Sequence, residues 1–405
     1  MTEIYFRADA NSTIATGHIM RCLTIARACT QTGRLQDKSV QVSFIVSDDE
    51  SRSLLEARFE KPGEFSVFSL NSDYRRMEAE IPDLLSHITG RKADGQKHSP
   101  YLTCAKPWLF VDSYHSSPSY FHALSAYCKI AYLDDLRSFD CPVDLLINYD
   151  TDSDSPCYAA SGQKLLGAQY TPLRAQFQAP SYNVRPKAEH VLLSTGGTDS
   201  YGMAEYLLYW IYDAPNCSGN RPALSDSLFT TQLDTDKLQA LQYHIVTSKA
   251  NTRYDRLLAL EEKISHIHIY ENVSDMASLM ASCDMAVSAG GTTLAELCAV
   301  GVPTISYLMA ENQRTAVETY AAKELIPCAG DIRPGQIINQ QNAASANTMT
   351  DCFRNPLPDS VICNILHFLT YMSENAEIRQ KSSHNMRAFL DGCGAERIAK
   401  ALLSS

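Results

Sequence analysis

A chain of 405 residues has room for one large or two ordinary domains. Its 45% hydrophobic and 20% charged residues describe a soluble globular protein with a sizeable core, and its net charge of -11 argues against nucleic acid or an anionic membrane as the main partner. No basic leader and no apolar run of about 18 residues occurs, so neither a signal peptide nor a membrane span is expected.

The 13 cysteines are odd in number and include no Cys-x-x-Cys pair, which suits a reducing cytoplasm better than a disulfide framework.

Residues 3–8 predict a short strand, followed by the polar turn Asp9-Ala10-Asn11-Ser12-Thr13. From His18 to Cys29, apolar residues at Ile19, Cys22, Leu23, Ile25 and Ala26 have helical spacing. Val40–Val46 is a second strand. Trp108–Val111, Ile130–Leu133 and Leu145–Ile147 are apolar runs that end at Asp112-Ser113-Tyr114, Asp134-Asp135 and Asn148-Tyr149-Asp150. That repetition predicts parallel βαβ units. The polar stretch 89–100 reads as a surface excursion.

Residues 180–187 are polar and carry two prolines, which marks a linker. A second series of units then begins. His190–Ser194 opens into Thr195-Gly196-Gly197-Thr198-Asp199, and Tyr243–Thr247 is the next strand. Residues 264–270 place His266 and His268 on one face, as half-buried strand residues with no third metal ligand nearby. Met285–Ser288 leads into Gly290-Gly291-Thr292-Thr293 and a helix from Leu294 to Val300; Val302–Tyr307 is a further strand. Residues 214–227 and 331–358 read as insertions. The tail from 374 to 403 is helical in pattern, with a break near Gly392.

His18 lies at the first turn of a helix that follows a strand. Ligands collect at the carboxyl ends of strands in open α/β sheets, and a histidine there can act as general base near neutral pH. Gly17 lets a ligand approach the backbone, and Arg21 shares the face of His18 one turn on. A histidine that merely packs at a helix start is the competing reading. In the second half, neither glycine turn fits Gly-x-Gly-x-x-Gly or a P-loop, so no dinucleotide, Walker-type ATP or other cofactor is expected. Gly290 to Thr293 offers bare N–H groups at a helix start, a seat for a diphosphate without a required metal. Glu296 could reach a ribose diol or simply favour the helix dipole.

Taken together, these residues resemble the UDP-2,4-diacetamido-2,4,6-trideoxy-β-L-altropyranose hydrolases of pseudaminic acid biosynthesis, and more distantly the MurG-type glycosyltransferases. The resemblance rests on Arg7-x-Asp9, Gly17-His18-x-x-Arg21-Cys22, Asp112-Ser113-Tyr114, Asp134-Asp135-Leu136, Leu166-Gly167-x-x-Tyr170 and Leu173-Arg174. It continues in Gly196-Gly197-Thr198-Asp199, Ser288-Ala289-Gly290-Gly291-Thr292 with Glu296, Asn312-Gln313 and Asp391-Gly392-x-Gly394-Ala395.

The resemblance implies a glycosyltransferase-B-like α/β fold of two Rossmann-like domains, 1–182 and 188–405, with the site in the cleft between them and the final helix free to pack back on the first domain. It makes His18 the general base, with Tyr114 and Asn312 at the sugar. The substrate-binding set is then Asp9, Gly17, Arg21, Gly196, Gly197, Thr198, Ser288, Gly290, Gly291, Thr292, Thr293, Glu296 and Gln313. The implied partners are a UDP-sugar and UDP, in a cytoplasmic protein, monomer favoured, that releases UDP by water attack with inversion at C1. A glycosyltransferase using the same donor, or a non-catalytic sugar-nucleotide binder, are the rivals.

Overall fold

The computed structural model describes residues 1–404 except 15, 90–105, 138, 151–157, 179–181, 213–232 and 334–358. The expected excursion near 89–100 and both expected insertions therefore fall wholly or largely outside the described residues. The chain divides into two compact units, Met1–Ala175 with Gly392–Ser405, and Gln176–Asp391. The division comes a few residues before the polar 180–187 stretch, and the last residues count with the first unit.

Unit 1 is built on strands β1 (Thr2–Ala8), β2 (Val40–Val46), β3 (Ser66–Ser69), β4 (Trp108–Asp112), β5 (Lys129–Leu133), β6 (Leu145–Asn148) and β7 (Gln163–Leu166). They form one sheet in the order β3-β2-β1-β4-β5-β6-β7, with every pairing parallel. Helices α1 (Gly17–Leu35), α2 (Asp49–Glu56), α3 (Met77–Thr89) and α4 (Pro118–Leu124) lie between strands.

The central strands are buried on both faces, which is why they read as unbroken apolar runs. On one face Phe6 stacks on Phe44 and Phe110, with ring centroids 5.3 and 4.9 Å apart. Each such ring removed from water stabilises the unit by roughly 1.5–3 kcal/mol. On the other, Arg7 is 0% exposed and survives there because Glu80 meets its Nε and Nη2 at 2.8 and 2.7 Å while Asp9 meets Nη1 at 2.5 Å.

Unit 2 repeats the plan. Its strands are β8 (His190–Ser194), β9 (Gln242–Thr247), β10 (Ile267–Glu271), β11 (Met285–Ala289), β12 (Thr304–Leu308) and β13 (Cys328–Asp331). All are parallel, in the order β10-β9-β8-β11-β12-β13. Around them run α5 (Met203–Tyr212), α6 (Thr235–Gln239), α7 (Tyr254–Lys263), α8 (Met276–Ser282), α9 (Thr292–Val300), α10 (Arg314–Ala322), α11 (Asp359–Glu374) and α12 (Ala376–Phe389). The last helix, α13 (Gly394–Ser404), packs in the core of unit 1, where Ile398, Ala399 and Leu402 join Ile19, Leu23 and Ala26 of α1. Its first turn is pressed on the chain near Tyr170, within reach of the Thr171 carbonyl. No helix among the described residues is long and apolar enough to cross a membrane.

Three histidines share one face of β8, β9 and β10. His190 Nδ1 lies 2.9 Å from His244 Nε2, and the His268 ring stacks on His244 at 5.1 Å. His268 Nε2 is 2.8 Å from Gln242 Oε1, and His244 Nδ1 is 3.0 Å from the Tyr270 hydroxyl. His266 precedes β10, with Nδ1 2.9 Å from the Gln239 carbonyl. No group of three His, Cys, Asp or Glu side chains among the described residues is placed to hold a metal.

Burial, and then the neighbouring His190 and His268, push the His244 imidazole down from 6.5 to about 4. The folded state keeps this ring neutral while the unfolded chain takes up a proton, so stability is lost as pH falls from about 6.5 toward 4. Between pH 7 and 5 the wild type should lose about 1 kcal/mol through this ring after solvent screening. His244→Gln should flatten that loss in thermal melts taken across the range. An equal loss in the variant would rule out the assignment.

Candidate functional site

In an open parallel sheet the strand order reverses at one point, and there the loops from the carboxyl ends separate and leave a crevice. In unit 1 that point lies between β1 and β4. The loop after β1 leads into α1, whose first turn carries His18. β4 ends on Asp112, and the loop after it carries Ser113 and Tyr114. Asn11 shapes the first loop by accepting hydrogen bonds from the N–H groups of Thr13 and Ile14, both at 2.9 Å.

His18, in the first turn of α1, and Asp112, the last residue of β4, meet. His18 Nδ1 is 2.6 Å from Asp112 Oδ1, with His18 6% and Asp112 1% exposed. A carboxylate can only accept, so Nδ1 carries the proton and Nε2 presents its lone pair. The Tyr114 ring stands edge-on to the imidazole at 4.5 Å. Arg21 grips both oxygens of Asp112: its Nε is 2.5 Å from Oδ2 and its Nη2 is 2.6 Å from Oδ1. Its Nη1 reaches Asp135 Oδ2 and the Tyr149 hydroxyl, each at 2.6 Å. Tyr114 completes the ring of contacts by donating to Asp135 Oδ2 at 3.4 Å.

Burial pushes the Asp112 carboxyl up, but the Arg21 charge and hydrogen bonds from Arg21 and His18 hold it below its ordinary value. For Asp135 burial wins, and its carboxyl lies above the ordinary range despite Arg21. Beside this dyad is a cavity of about 10 Å³, bordered by His18, Tyr114, Asp112, Tyr74 and their neighbours in unit 1. That is close to the least volume that holds one water molecule.

In unit 2 the order reverses between β8 and β11, which are paired through Ser194 and Ser288. The two glycine turns, Gly196-Gly197 and Gly290-Gly291, therefore leave the sheet side by side. Gly196 has φ +86°, open to glycine at little cost. Gly197, Thr198 and Gly196 are exposed, while Asp199 turns inward to cap α5 through the N–H groups of Met203 and Ala204 at 2.9 and 3.0 Å.

Gly290 is packed so tightly that a Cβ there would lie 2.3 Å from Val317 Cγ2. Gly291 is the N-cap of α9 and has no side chain to occupy the first-turn amides of Thr292 and Thr293. An anion placed there would meet free N–H groups and the positive end of the helix dipole.

The other sequence-predicted residues separate into clear groups. Gly17 is exposed at the first turn of α1. Asn312 is exposed in the turn before α10, and Gln313 beside it accepts from the Met309 N–H at 3.2 Å and borders Gly291. Glu296 is half-buried in α9. Two residues proposed for substrate are engaged inside the protein instead. Ser288 is 0% exposed and donates to the Ala289 carbonyl at 3.0 Å. Asp9 borders the small cavity, but one oxygen is on Arg7 and the other accepts from the Ser47 N–H at 2.6 Å. Arg21 is likewise turned on carboxylates of its own unit. Asp135, Tyr149, Tyr74 and His115 join the site without having been singled out for it. The first two had a signal, since each closely follows an apolar strand, whereas Tyr74 and His115 had none.

Residues 225–326 match the family model of the Glycosyltransferase family 28 C-terminal domain. That span holds the Gly290–Glu296 turn and Asn312-Gln313, and leaves out Gly196–Thr198. The spore coat polysaccharide biosynthesis protein SpsG of Bacillus subtilis (strain 168) is 25% identical over 157 residues, 38% of this chain and 40% of that protein. The match therefore spans well under half of that relative.

Among solved structures, MurG of Acinetobacter baumannii is similar over 100% of both chains, with a TM-score of 0.59 at 10% identity. UDP-GlcNAc 2-epimerase from Neisseria meningitidis bound to UDP-GlcNAc is similar over 100% of both chains, with a TM-score of 0.52 at 12% identity. UGT89C1 of Arabidopsis thaliana complexed with UDP is similar over 99% of this chain and 100% of its own, with a TM-score of 0.54 at 11% identity. At such identities the likeness shows the fold. The chain has the two Rossmann-like α/β domains of the glycosyltransferase-B architecture.

Proposed function

We propose that the chain is an enzyme of nucleotide-sugar chemistry that cleaves the C1–O bond of a UDP-sugar. The observation that carries this reading is the His18–Asp112 pair, at 2.6 Å, with Nε2 turned away from the carboxylate. His18 Nε2 takes a proton from the nucleophile as its oxygen bonds to C1. The C1–O bond to the diphosphate breaks with its electron pair on UDP, and C1 is inverted. UDP is a good leaving group, so positioning and charge stabilisation supply most of what the reaction needs. The amino end of α9, with Gly290, Gly291, Thr292 and Thr293, is the proposed seat of the diphosphate.

Two nucleophiles fit this scheme. Water is favoured by the motif resemblance to a hydrolase family, and the 10 Å³ cavity at His18 is close to the least volume that holds one water. On that reading the enzyme is a hydrolase, and the motif resemblance makes UDP-2,4-diacetamido-2,4,6-trideoxy-β-L-altropyranose the first substrate to test. A sugar or lipid hydroxyl is favoured by the match of residues 225–326 to a glycosyltransferase domain.

Incubation with UDP-acetamido-sugars in the absence of acceptor separates the two. UDP release from donor alone, unchanged by a chelator, is the expected result. Release that waits for an added acceptor assigns a transferase. Binding without turnover across the panel would overturn the enzymatic reading, and activity lost in chelator and restored by magnesium would overturn the backbone seat for the diphosphate.

A further inference from the structure

Arg21 shares the face of His18, where a positive side chain invites assignment to the substrate diphosphate. Its donors say otherwise. A guanidinium has five N–H groups. The Nε and one Nη2 hydrogen go to Asp112 at 2.5 and 2.6 Å, and the two Nη1 hydrogens go to Asp135 and Tyr149 at 2.6 Å. The fifth points at His18, with Nη2 3.1 Å from Nδ1. That nitrogen already donates to Asp112, so the contact is a charge held beside the ring and not a hydrogen bond.

The charges around the imidazole can be followed element by element. From β4 comes the Asp112 carboxylate, and from the loop after β5 the Asp135 carboxyl. Asp9, in the loop after β1, has its charge met by Arg7, itself shared with Glu80. The Cys22 thiol on α1, 3.7 Å from Asp112, is pushed well up by burial and stays protonated. Tyr149 and Tyr114 are pushed up by burial and stay neutral phenols. Tyr74 and His115 stand at the cavity rim with their rings 5.3 Å apart. Arg21 is therefore the cation that faces His18 directly, against one full carboxylate at bonding distance and a second behind it.

We infer that Arg21 is a positioning residue and not a substrate ligand: its guanidinium cancels the charge of Asp112 behind His18, so that the imidazole takes its proton from the nucleophile and not from solvent. Asp112 alone would orient the ring but also draw a proton onto it. Arg21 keeps the orientation and removes the pull. Asp135 tempers Arg21 in turn, holding Nη1 and part of its charge away from the ring. The inference rests on the proposed role of His18 as base.

The test is a pH titration of the His18 imidazole in ¹⁵N-labelled full-length protein, with its resonance assigned by its loss in His18→Gln. A charge removed at this range moves a titration midpoint by about one to two pH units. Arg21→Gln should move it upward by that amount and Asp135→Asn downward. Damage to the fold has no reason to produce opposite signs. Arg21→Lys keeps the charge without the fork, and should restore most of the wild-type midpoint. If Arg21→Gln does not fold, Asp135→Asn and Arg21→Lys still decide.

Midpoints within about 0.3 pH unit of wild type in Asp135→Asn, or shifts of the same sign in both charge-removing variants, would overturn the role of Arg21. The acid limb of UDP release should move with the titration. Variant midpoints that move in these directions, in a protein that turns over no UDP-sugar, would sink the functional reading and leave the electrostatic one standing.

Discussion

His18→Gln, or His18→Asn, should lower turnover by about 10²–10⁴-fold, the range for loss of a general base, while leaving UDP affinity almost unchanged. The imidazole sits in unit 1, beside a cavity whose described lining residues belong to that unit. The turn proposed for the diphosphate sits in unit 2. A substitution in the first unit should therefore act on kcat and spare the product site, the pattern of an interaction made in the transition state. Gln is near in size, so the first turn of α1 should remain packed. Activity of the wild type should fall toward acidic pH as the base takes a proton from solvent, and this limb should be missing from the residual activity of the variant. UDP release and calorimetric UDP binding check both statements. Near-normal turnover, or loss of UDP binding in step with turnover, would make His18 a structural residue.

How far this site could be read from sequence follows from what places each residue. Asp112 ends a strongly apolar strand with Tyr114 just past it, and His18 opens the helix that follows another strand. A strand's carboxyl end is visible in sequence, and sheet topology brings two such ends together. Arg21 was visible as a neighbour of His18, because helical spacing fixes that relation within one turn. Its partners were not. Asp135 and Tyr149 lie 114 and 128 residues away, and only the order β1-β4-β5-β6 makes them neighbours.

The same limit explains Ser288 and Asp9. A hydroxyl beside a glycine turn and a carboxylate after a strand look open in sequence, yet local backbone and a buried arginine claim them. Among the strands, β3, β7 and β13 were missed because edge strands of four residues bury little and carry weak patterns. The placing of α13 on α1 is a long-range packing fact. Its amphipathic pattern states that one face will be covered, but not by which unit.

Asp112→Asn should be as damaging to turnover as loss of His18 itself, about 10²–10⁴-fold, through the tautomer of the imidazole. The carboxylate now compels the proton onto Nδ1. An amide can present its NH₂ to that nitrogen instead, which moves the ring proton to Nε2 and removes the lone pair that would accept the nucleophile's proton. The same change takes away the negative charge that Arg21 faces and the acceptor of its Nη2, leaving its Nε on a neutral amide oxygen and its Nη1 on Asp135 and Tyr149. Removing one partner of a buried pair costs about 3–5 kcal/mol, and the surviving carboxylate places this case near the lower end.

The pH dependence separates the two effects. Burial pushes the Asp112 carboxyl up, yet Arg21 and His18 bring it below its ordinary value. A carboxyl depressed in the fold contributes stability that is fully present above its unfolded value, near 3.9, and is lost as pH falls through its folded value. Urea melts at neutral pH should therefore show the variant about 3 kcal/mol less stable than wild type, with the gap narrowing only below about pH 4. Turnover, in contrast, should be lost across the whole range. A variant that keeps more than a tenth of wild-type turnover would show that Asp112 does not set the imidazole, and an unchanged melt would show that Arg21 needs no second carboxylate.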